Sequence, residues 1–412
     1  MADELQRSIE TIWRLESTRL IAALVRITRD VGLAEDLAQD ALVAALTQWP
    51  ESGVPSKPGA WLMAVAKRRA IDGFRRRERR DSIYTEIAER TGGDIVDDIA
   101  SALDHVEDDV LRLMFICCHP ALGPGARVTL TLRLMAGLTT GEIARSFLTS
   151  ESTIAARITR AKKTLAQVSA PMEEPSDDER RERLDGVMSV VYLLFNEGYS
   201  ATAGDDWMRP ALCDEAVRLG RILAALVPDE PEVHGLVALM ELQHSRSAAR
   251  ADATGAPVLL LDQDRARWDG LLIRRGLAAL ERATAIGGAI GPYVLQAEIA
   301  ACHSRARVAA DTDWARIASV YAALAAMTGS AVVELNRVVA VSFAEGPARA
   351  LDLLDASDLS DLAGYHLLPS VRGDLLERVG RHAEARAELT RAAGMTDNER
   401  ERSMLLRRAE LL

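Results

Sequence analysis

Apolar residues recur every three or four positions along most of this chain and almost nowhere alternate, so the pattern predicts helices and no sheet. The most informative stretch runs from Leu130 to Leu165, LTLRLMAGLTTGEIARSFLTSESTIAARITRAKKTL. Leu132 and Met135 share a first helical face, Gly137 interrupts it, and a new helix opens at Thr139. Thr139 and Glu142 have capping-box spacing, and Leu138 with Ile143 has the spacing of a hydrophobic staple. The short helix turns Ile143, Ala144 and Phe147 inward, Leu148-Thr149-Ser150 reverses the chain, and Ser150 caps a longer helix. At about 100 degrees per residue, Ile154, Ile158, Ala161 and Leu165 fall near one line, with Ser152, Ala156, Thr159, Arg160 and Lys163 opposite. The pattern reads as helix, tight turn, helix.

One side of the last helix can therefore pack on its neighbours while the other offers hydroxyls, a small residue and cations. That is what a major-groove recognition helix requires, because hydroxyls and cations reach base edges and phosphates. The plain alternative is an amphipathic hairpin with a solvated basic face.

Upstream, the periodicity predicts helices over about 8–28 and 33–49, the first carrying Ile12, Leu15, Leu20, Leu24 and Ile27. The second turns Leu37, Ala41 and Ala44 inward and leaves Glu35, Asp36 and Asp40 outside, as plain solubility or as a docking face for a basic partner. GVPSKPGAW makes a loop, with Pro58 suited to the first turn of a third helix. From Trp61 to Arg80 that helix places Leu62, Ala66, Ala70 and Phe74 at steps of four. Lys67, Arg68, Arg69, Arg75, Arg76, Arg77, Arg79 and Arg80 make it the most basic part of the chain, and phosphate is the natural partner of so one-sided a set. Trp61 either stacks on an unpaired base or serves as a core aromatic.

Charge then reverses. Between Asp81 and Asp109, ten carboxylates face Arg90 alone among Lys and Arg, which predicts an extended tether whose self-repulsion favours reach. The whole chain of 412 residues carries a formal charge of -11, so its basic character is local. This length allows two to four domains. No basic-then-apolar leader and no bilayer-length apolar run stand in the sequence, which points to a cytoplasmic protein without membrane insertion. Cys117, Cys118, Cys213 and Cys302 form no CxxC pair and are expected as core thiols, even with His119 beside two of them, so no metal or cofactor is expected.

These stretches together resemble the extracytoplasmic-function type of bacterial RNA polymerase sigma factor. AEDLAQDAL at 34–42 resembles the segment that docks on the polymerase clamp, which implies Glu35, Asp36 and Asp40 as contacts with core RNA polymerase. PGAWLMAVAKRRAIDGFRRRERR at 58–80 resembles the helix that holds the melted non-template strand of the minus-10 element, implying roles for Trp61, Lys67, Arg68, Arg69, Arg75 and Arg76. TTGEIARSFLTSESTIAARITRAKK at 139–163 resembles the reader of the minus-35 element, implying Ser152, Thr153, Ala156, Arg157, Thr159, Arg160 and Lys163 as promoter DNA contacts. Within that family the likeness is to the subgroup with a tetratricopeptide-like C-terminal extension, carried by DDVLRLMFICCHPAL at 108–122, VVYLLFNEGYSA at 190–201, LDQDRARWD at 261–269 and GYHLLPSVRGDLL at 364–376, among others.

The resemblance implies an all-α chain of five parts: a region 2-like domain at 1–80, an acidic linker at 81–104, a region 4-like helix-turn-helix domain at 105–168, a second linker at 169–183, and a helical-repeat regulatory domain at 184–412. RNA synthesis would belong to the polymerase, so the chain is not expected to be an enzyme. Periodicity within the last part predicts helices at about 184–195, 212–226, 233–242, 268–283, 293–303 and 314–327. Gly346 and Gly380 are 34 positions apart and Ala350 and Ala385 are 35 apart, close to the tetratricopeptide period. Stacked hairpins of this kind form a curved surface suited to a regulatory protein or a small ligand. The run Asp262-Gln263-Asp264-Arg265 with Arg267 and Trp268 could join His234, His303 and Glu197 in a ligand site, or could supply helix caps and salt bridges between hairpins. The rival to the sigma reading is a ligand-sensing helix-turn-helix regulator that binds its operator without polymerase, and a further rival is a helical-repeat scaffold.

Overall fold

The computed structural model describes residues 2–81, 106–147, 149–168, 177–199, 209–252, 258–288, 290–396 and 399–412. Among them every regular element is helical and no strand occurs. The chain is all-α, as its periodicity requires. The acidic linker reading over 81–104 falls almost wholly outside the described residues, as does 169–176 of the second linker. Contacts divide the chain into two units, Met1–Val227 and Pro228–Leu412.

The first unit begins with α1 (Ala2–Thr28), α2 (Val31–Ser52) and α3 (Pro58–Asp81). Asp30 caps α2 by accepting from the Leu33 amide at 3.0 Å, while Arg29 takes a left-handed φ of 52° to make the corner. α2 runs past Trp49 through Pro50, which a last helical turn tolerates, and Gly53 closes it by donating to the Trp49 carbonyl at 3.0 Å. Ile21, Leu24, Trp49, Leu62 and Ala66 are buried where these helices meet.

Next come α4 (Val106–Cys117), α5 (Pro124–Leu134), α6 (Thr140–Ser146) and α7 (Glu151–Gln167). α4 starts inside the acidic run, and its Asp109 is buried in an ion pair with Arg26 of α1. Leu113, Leu130, Leu132, Met135, Ile143, Ile154 and Leu165 form the core of this group. Two more helices complete the unit, α8 (Asp177–Tyr199) and α9 (Pro210–Leu226), both packing on α4. The Met135 carbonyl, just beyond α5, accepts from Thr18 Oγ1 at 2.8 Å and from Arg218 at 2.7 Å, so α1 and α9 meet at one helix end.

The four cysteines are free and buried. Burial pushes the Cys118 thiol up to about 12 and Cys117 well above its ordinary value, the behaviour of inert core thiols. No group of His, Cys, Asp and Glu among the described residues could hold a metal ion. No described helix is long and apolar enough to cross a membrane.

The second unit is a series of densely packed helices resembling a repeat domain: α10 (Pro231–His244), α11 (Gly270–Ile286), α12 (Pro292–Arg305), α13 (Trp314–Thr328), α14 (Ala331–Ala344), α15 (Pro347–Ala356), α16 (Leu367–Arg378), α17 (His382–Met395) and α18 (Glu399–Leu411). Gly346 and Gly380 adopt φ of 97° and 83° just before α15 and α17, a backbone that side chains with a Cβ rarely take, and Ala350 and Ala385 are fully buried behind them. The paired spacing in the sequence thus corresponds to two equivalent corners. Glu232 caps α12 from a distance, accepting from the amides of Gly291, Tyr293 and Val294 at 3.0, 2.8 and 3.1 Å.

Candidate nucleic-acid interface

The two capped helices α6 and α7 and the turn between them are built as their sequence dictates. Thr139 Oγ1 accepts from the Glu142 amide at 3.1 Å while the Glu142 carboxylate accepts from the Thr139 amide at 2.8 Å, closing the capping box that starts α6. Ser150 Oγ accepts from the Thr153 amide at 3.2 Å and starts α7. Ile154, Ile158, Ala161 and Leu165 are buried against the group, a contribution of roughly 1.5–3 kcal/mol for each large side chain. The opposite side of α7 is open: Ser152, Thr153, Ala156, Thr159, Arg160 and Lys163 are all exposed. Arg157 differs, being half-buried and donating to Thr129 Oγ1 at 3.4 Å, so it lies at the flank of the open face. Hydroxyls, one small side chain and two cations therefore share one solvent-facing strip of a rigid helix.

On α2 and α3 the acidic and basic candidates meet. Asp36 and Asp40 are exposed, and Asp40 pairs with Arg69 across the helices at 2.9 Å. Arg68 is exposed seven positions after Trp61, hence on the same side of α3. Trp61 is half-buried and meets buried Trp49 edge-on, with ring centroids 5.3 Å apart. It is thus part core and part surface, anchored on one edge with the rest reachable. Lys67 is half-buried, and desolvation, then the nearby Arg26 charge, lowers its pKa. The side chains of Arg75 and Arg76 lie outside the described residues.

Glu35 corrects the sequence reading. It was expected on the open acidic face with Asp36, but only 4% of it is exposed. Its carboxylate is held by Arg133 of α5 at 2.6 Å and by Lys162 of α7 at 2.6 Å. Two cations from distant sequence replace the water a carboxylate needs, which is why it can be buried. The cue in the sequence was Lys162, a cation four positions after Ile158 and three before Leu165, on the packing side of α7. A charge there implies a buried partner, though not which one.

Several polar candidates of the extension cap helices or tie turns together. Asp264 caps the short turn Arg265–Arg267, and Asp269 caps α11 by accepting from Leu271 and Leu272. Arg265 lies over the Trp268 ring at 4.7 Å and donates to the carbonyls of His303 and Ala306, tying this turn to the end of α12. Of the suspected ligand set, His303 meets Arg265, His234 bonds the Pro228 carbonyl at 2.9 Å, and Glu197 pairs with Arg209 of the first unit. Caps and carbonyl contacts use part of this set, while Gln263 Oε1, Arg265 Nε, Trp268 Nε1 and His303 Nδ1 are buried without a hydrogen-bond partner among the described residues.

Comparison with known proteins agrees with this arrangement. Residues 13–80 match sigma-70 region 2, residues 112–165 match sigma-70 region 4, and residues 183–284 match a family of unknown function, DUF6596. An uncharacterized protein of Rhizobium meliloti (strain 1021) is 44% identical over 380 residues, 92% of this chain and 89% of that protein. The chain belongs to the same family as that protein. Its sigma-70 regions give it a sigma-factor-like role in transcription, with RNA polymerase and promoter DNA as partners in general. They are the regions of a transcription factor family and not of a catalytic enzyme.

Two further relatives share part of the length. The probable ECF RNA polymerase sigma factor SigI of Mycobacterium tuberculosis is 27% identical over 168 residues, 40% of this chain and 57% of that protein. The ECF RNA polymerase sigma factor SigK of Mycobacterium ulcerans is 29% identical over 145 residues, 34% of this chain and 74% of that protein. No solved structure matches the chain. Region 2 spans the acidic and basic faces of α2 and α3, and region 4 spans α5 to α7 with the open polar strip.

Proposed function

We propose that the chain is an RNA polymerase sigma factor of the extracytoplasmic-function type, which recruits core polymerase to specific promoters and assists strand opening in the cytoplasm. The observation that carries this reading is the open polar strip of α7 on a doubly capped helix-turn-helix, within the same unit as the acidic and basic faces of α2 and α3.

In this reading Asp36, Asp40 and, once uncovered, Glu35 dock on polymerase. Trp61 with Lys67, Arg68, Arg69, Arg75 and Arg76 holds the separated minus-10 strand, where stacking and phosphate pairing offset part of a melting cost of about 1.4 kcal/mol per step. Ser152, Thr153, Ala156, Thr159, Arg160 and Lys163 face the minus-35 groove, with Arg157 at its edge. The acidic segment 81–104 spans the two modules, and the tetratricopeptide-like extension from 184 onward is regulatory, answering to a protein or small ligand.

Run-off transcription with purified core polymerase and the full-length chain on a broad pool of promoter fragments tests this. Specific initiation that depends on the chain is the expected result. Tight sequence-specific duplex binding without polymerase, and no initiation beside a working control sigma factor, would favour the ligand-sensing regulator instead.

A further inference from the structure

One corner of the second unit gathers buried polar atoms that meet no hydrogen-bond partner among the described residues. Trp268 and His303 are each 7% exposed, and the indole Nε1 and the imidazole Nδ1 are both unpartnered. Gln263 Oε1 and Arg265 Nε are buried in the same condition. These side chains belong to one cluster. The Arg265 guanidinium lies 4.7 Å from the centre of the Trp268 ring, Arg246 approaches the same ring at 6.0 Å, and Arg265 donates to the His303 carbonyl. The turn after α10, the short turn Arg265–Arg267 and the end of α12 meet here. Folded interiors rarely leave even one such atom unpaired, because it forfeits its hydration and gains nothing in return. Several in one cluster need a common partner.

The charge of the cluster says which kind. Arg246 and Arg265 bring two positive charges to one indole, and both charges reach His303, which stays neutral. Arg265 enters no ion pair among the described residues, and the opposing charge that reaches it comes from the exposed Asp311. A water molecule would serve the N–H groups and leave this charge unbalanced, whereas an anion serves both. Arg265 Nε–H and Trp268 Nε1–H can only donate, so they call for accepting oxygens. Gln263 Oε1 can only accept, so it calls for a hydrogen on the same ligand.

We infer that this cluster binds a small oxyanion that also carries a hydroxyl, a class that includes hydrogenphosphate and hydroxycarboxylates. Arg265 and Trp268 donate to the oxyanion, Arg246 balances its charge, and Gln263 accepts from the hydroxyl. The inference deepens the reading of the extension as regulatory and rests on it for the consequence in transcription, though not for binding. A ligand shared by three chain segments favours whichever arrangement of the helices brings them together.

Isothermal titration calorimetry on the full chain, with inorganic phosphate, sulfate, glycolate and acetate as probes, tests this. Sulfate and acetate are the matching anions without a hydroxyl. Phosphate or glycolate should bind at one site per chain, about tenfold tighter than its match, and the tighter of the two distinguishes a phosphorylated ligand from a hydroxy acid. Trp268→Phe keeps an aromatic face for Arg265 and removes one donor, so it should weaken binding about tenfold. Gln263→Glu sets a like charge against the anion and should weaken it further, with both variants checked for folding by circular dichroism. No binding of any probe would overturn the site, as would equal binding within both matched pairs or affinities unchanged in both variants. Run-off transcription with and without the tighter probe is a separate readout. A bound probe that leaves transcription unchanged sinks the regulatory reading and leaves the site standing; active transcription with no probe bound sinks the site and leaves the sigma reading intact.

Discussion

Arg26 and Asp109 form an ion pair at 3.1 Å across 83 positions of sequence, joining the first helix to the fourth, with the Asp109 carboxylate 2% exposed. Arg112 stands at 3.7 Å on the other carboxylate oxygen, so the pair belongs to a small network inside the first unit. Removing one cation from a buried carboxylate leaves its desolvation cost uncompensated, so Arg26→Met should lower the unit's stability by about 3 kcal/mol. Urea denaturation followed by circular dichroism reads this directly. Pairing it with Asp109→Leu should recover most of the loss, because two apolar side chains need no charge partner. A double variant as weak as the single one would show that the loss comes from packing.

The open strip of α7 makes a second prediction. Arg160 and Lys163 are exposed cations on a helix whose other side is locked into the core. Replacing either by Ala should leave the fold intact and weaken promoter binding by the polymerase complex. If the side chain contacts phosphate, the salt dependence of binding falls by about one unit of slope and all sequences weaken alike. If it contacts a base edge, the loss is about 1–3 kcal/mol and falls on particular base pairs of the minus-35 element. Titrations at several salt concentrations against a panel of single-base variants separate the two, and unchanged binding by both alanine variants would remove this face from the interface.

A third concerns acid stability of the second unit. Burial, followed by the charges of Arg246 and Arg265, pushes His303 down to about 4, and the side chain packs edge-on against Trp314 at 5.3 Å. The folded chain therefore refuses a proton that the unfolded chain takes up near pH 6.5. His303 contributes stability that is fully present above pH 6.5 and is lost as pH falls through this window toward 4, about 3 kcal/mol in all. His303→Gln should flatten that part of the profile. Chemical denaturation from pH 7 to 4 checks it, and parallel slopes for the two chains between pH 6.5 and 4 would assign the acid sensitivity to other groups.

Much of this fold was legible because its determinants are local. The capping box of Thr139 and Glu142, the Ser150 cap and the apolar line from Ile154 to Leu165 involve residues within a few turns of one another, so spacing predicts them. The same holds for the corners at Gly346 and Gly380, where a backbone φ restricts the residue type. Helix boundaries drifted by a few residues, as at α2, where Pro50 does not end the helix because a proline in the last turn forfeits little.

What spacing did not reveal is long-range pairing of charges. On a helical wheel Glu35 reads as the edge of an open acidic face, and nothing within a dozen residues contradicts that. Its burial depends on Arg133 and Lys162, 98 and 127 positions later, and helical periodicity carries no information about contacts at that distance. Arg265 behaves alike: a polar run beside a tryptophan suggested a ligand site, and the helix end it serves is 38 positions further on. The sequence alone determined the helices, their caps and the polar strip of α7, because hydrogen-bond geometry and hydrophobic period act between near neighbours. Only the tertiary structure decided which charges are buried together, because a charge leaves water only where a distant segment brings its counter-ion.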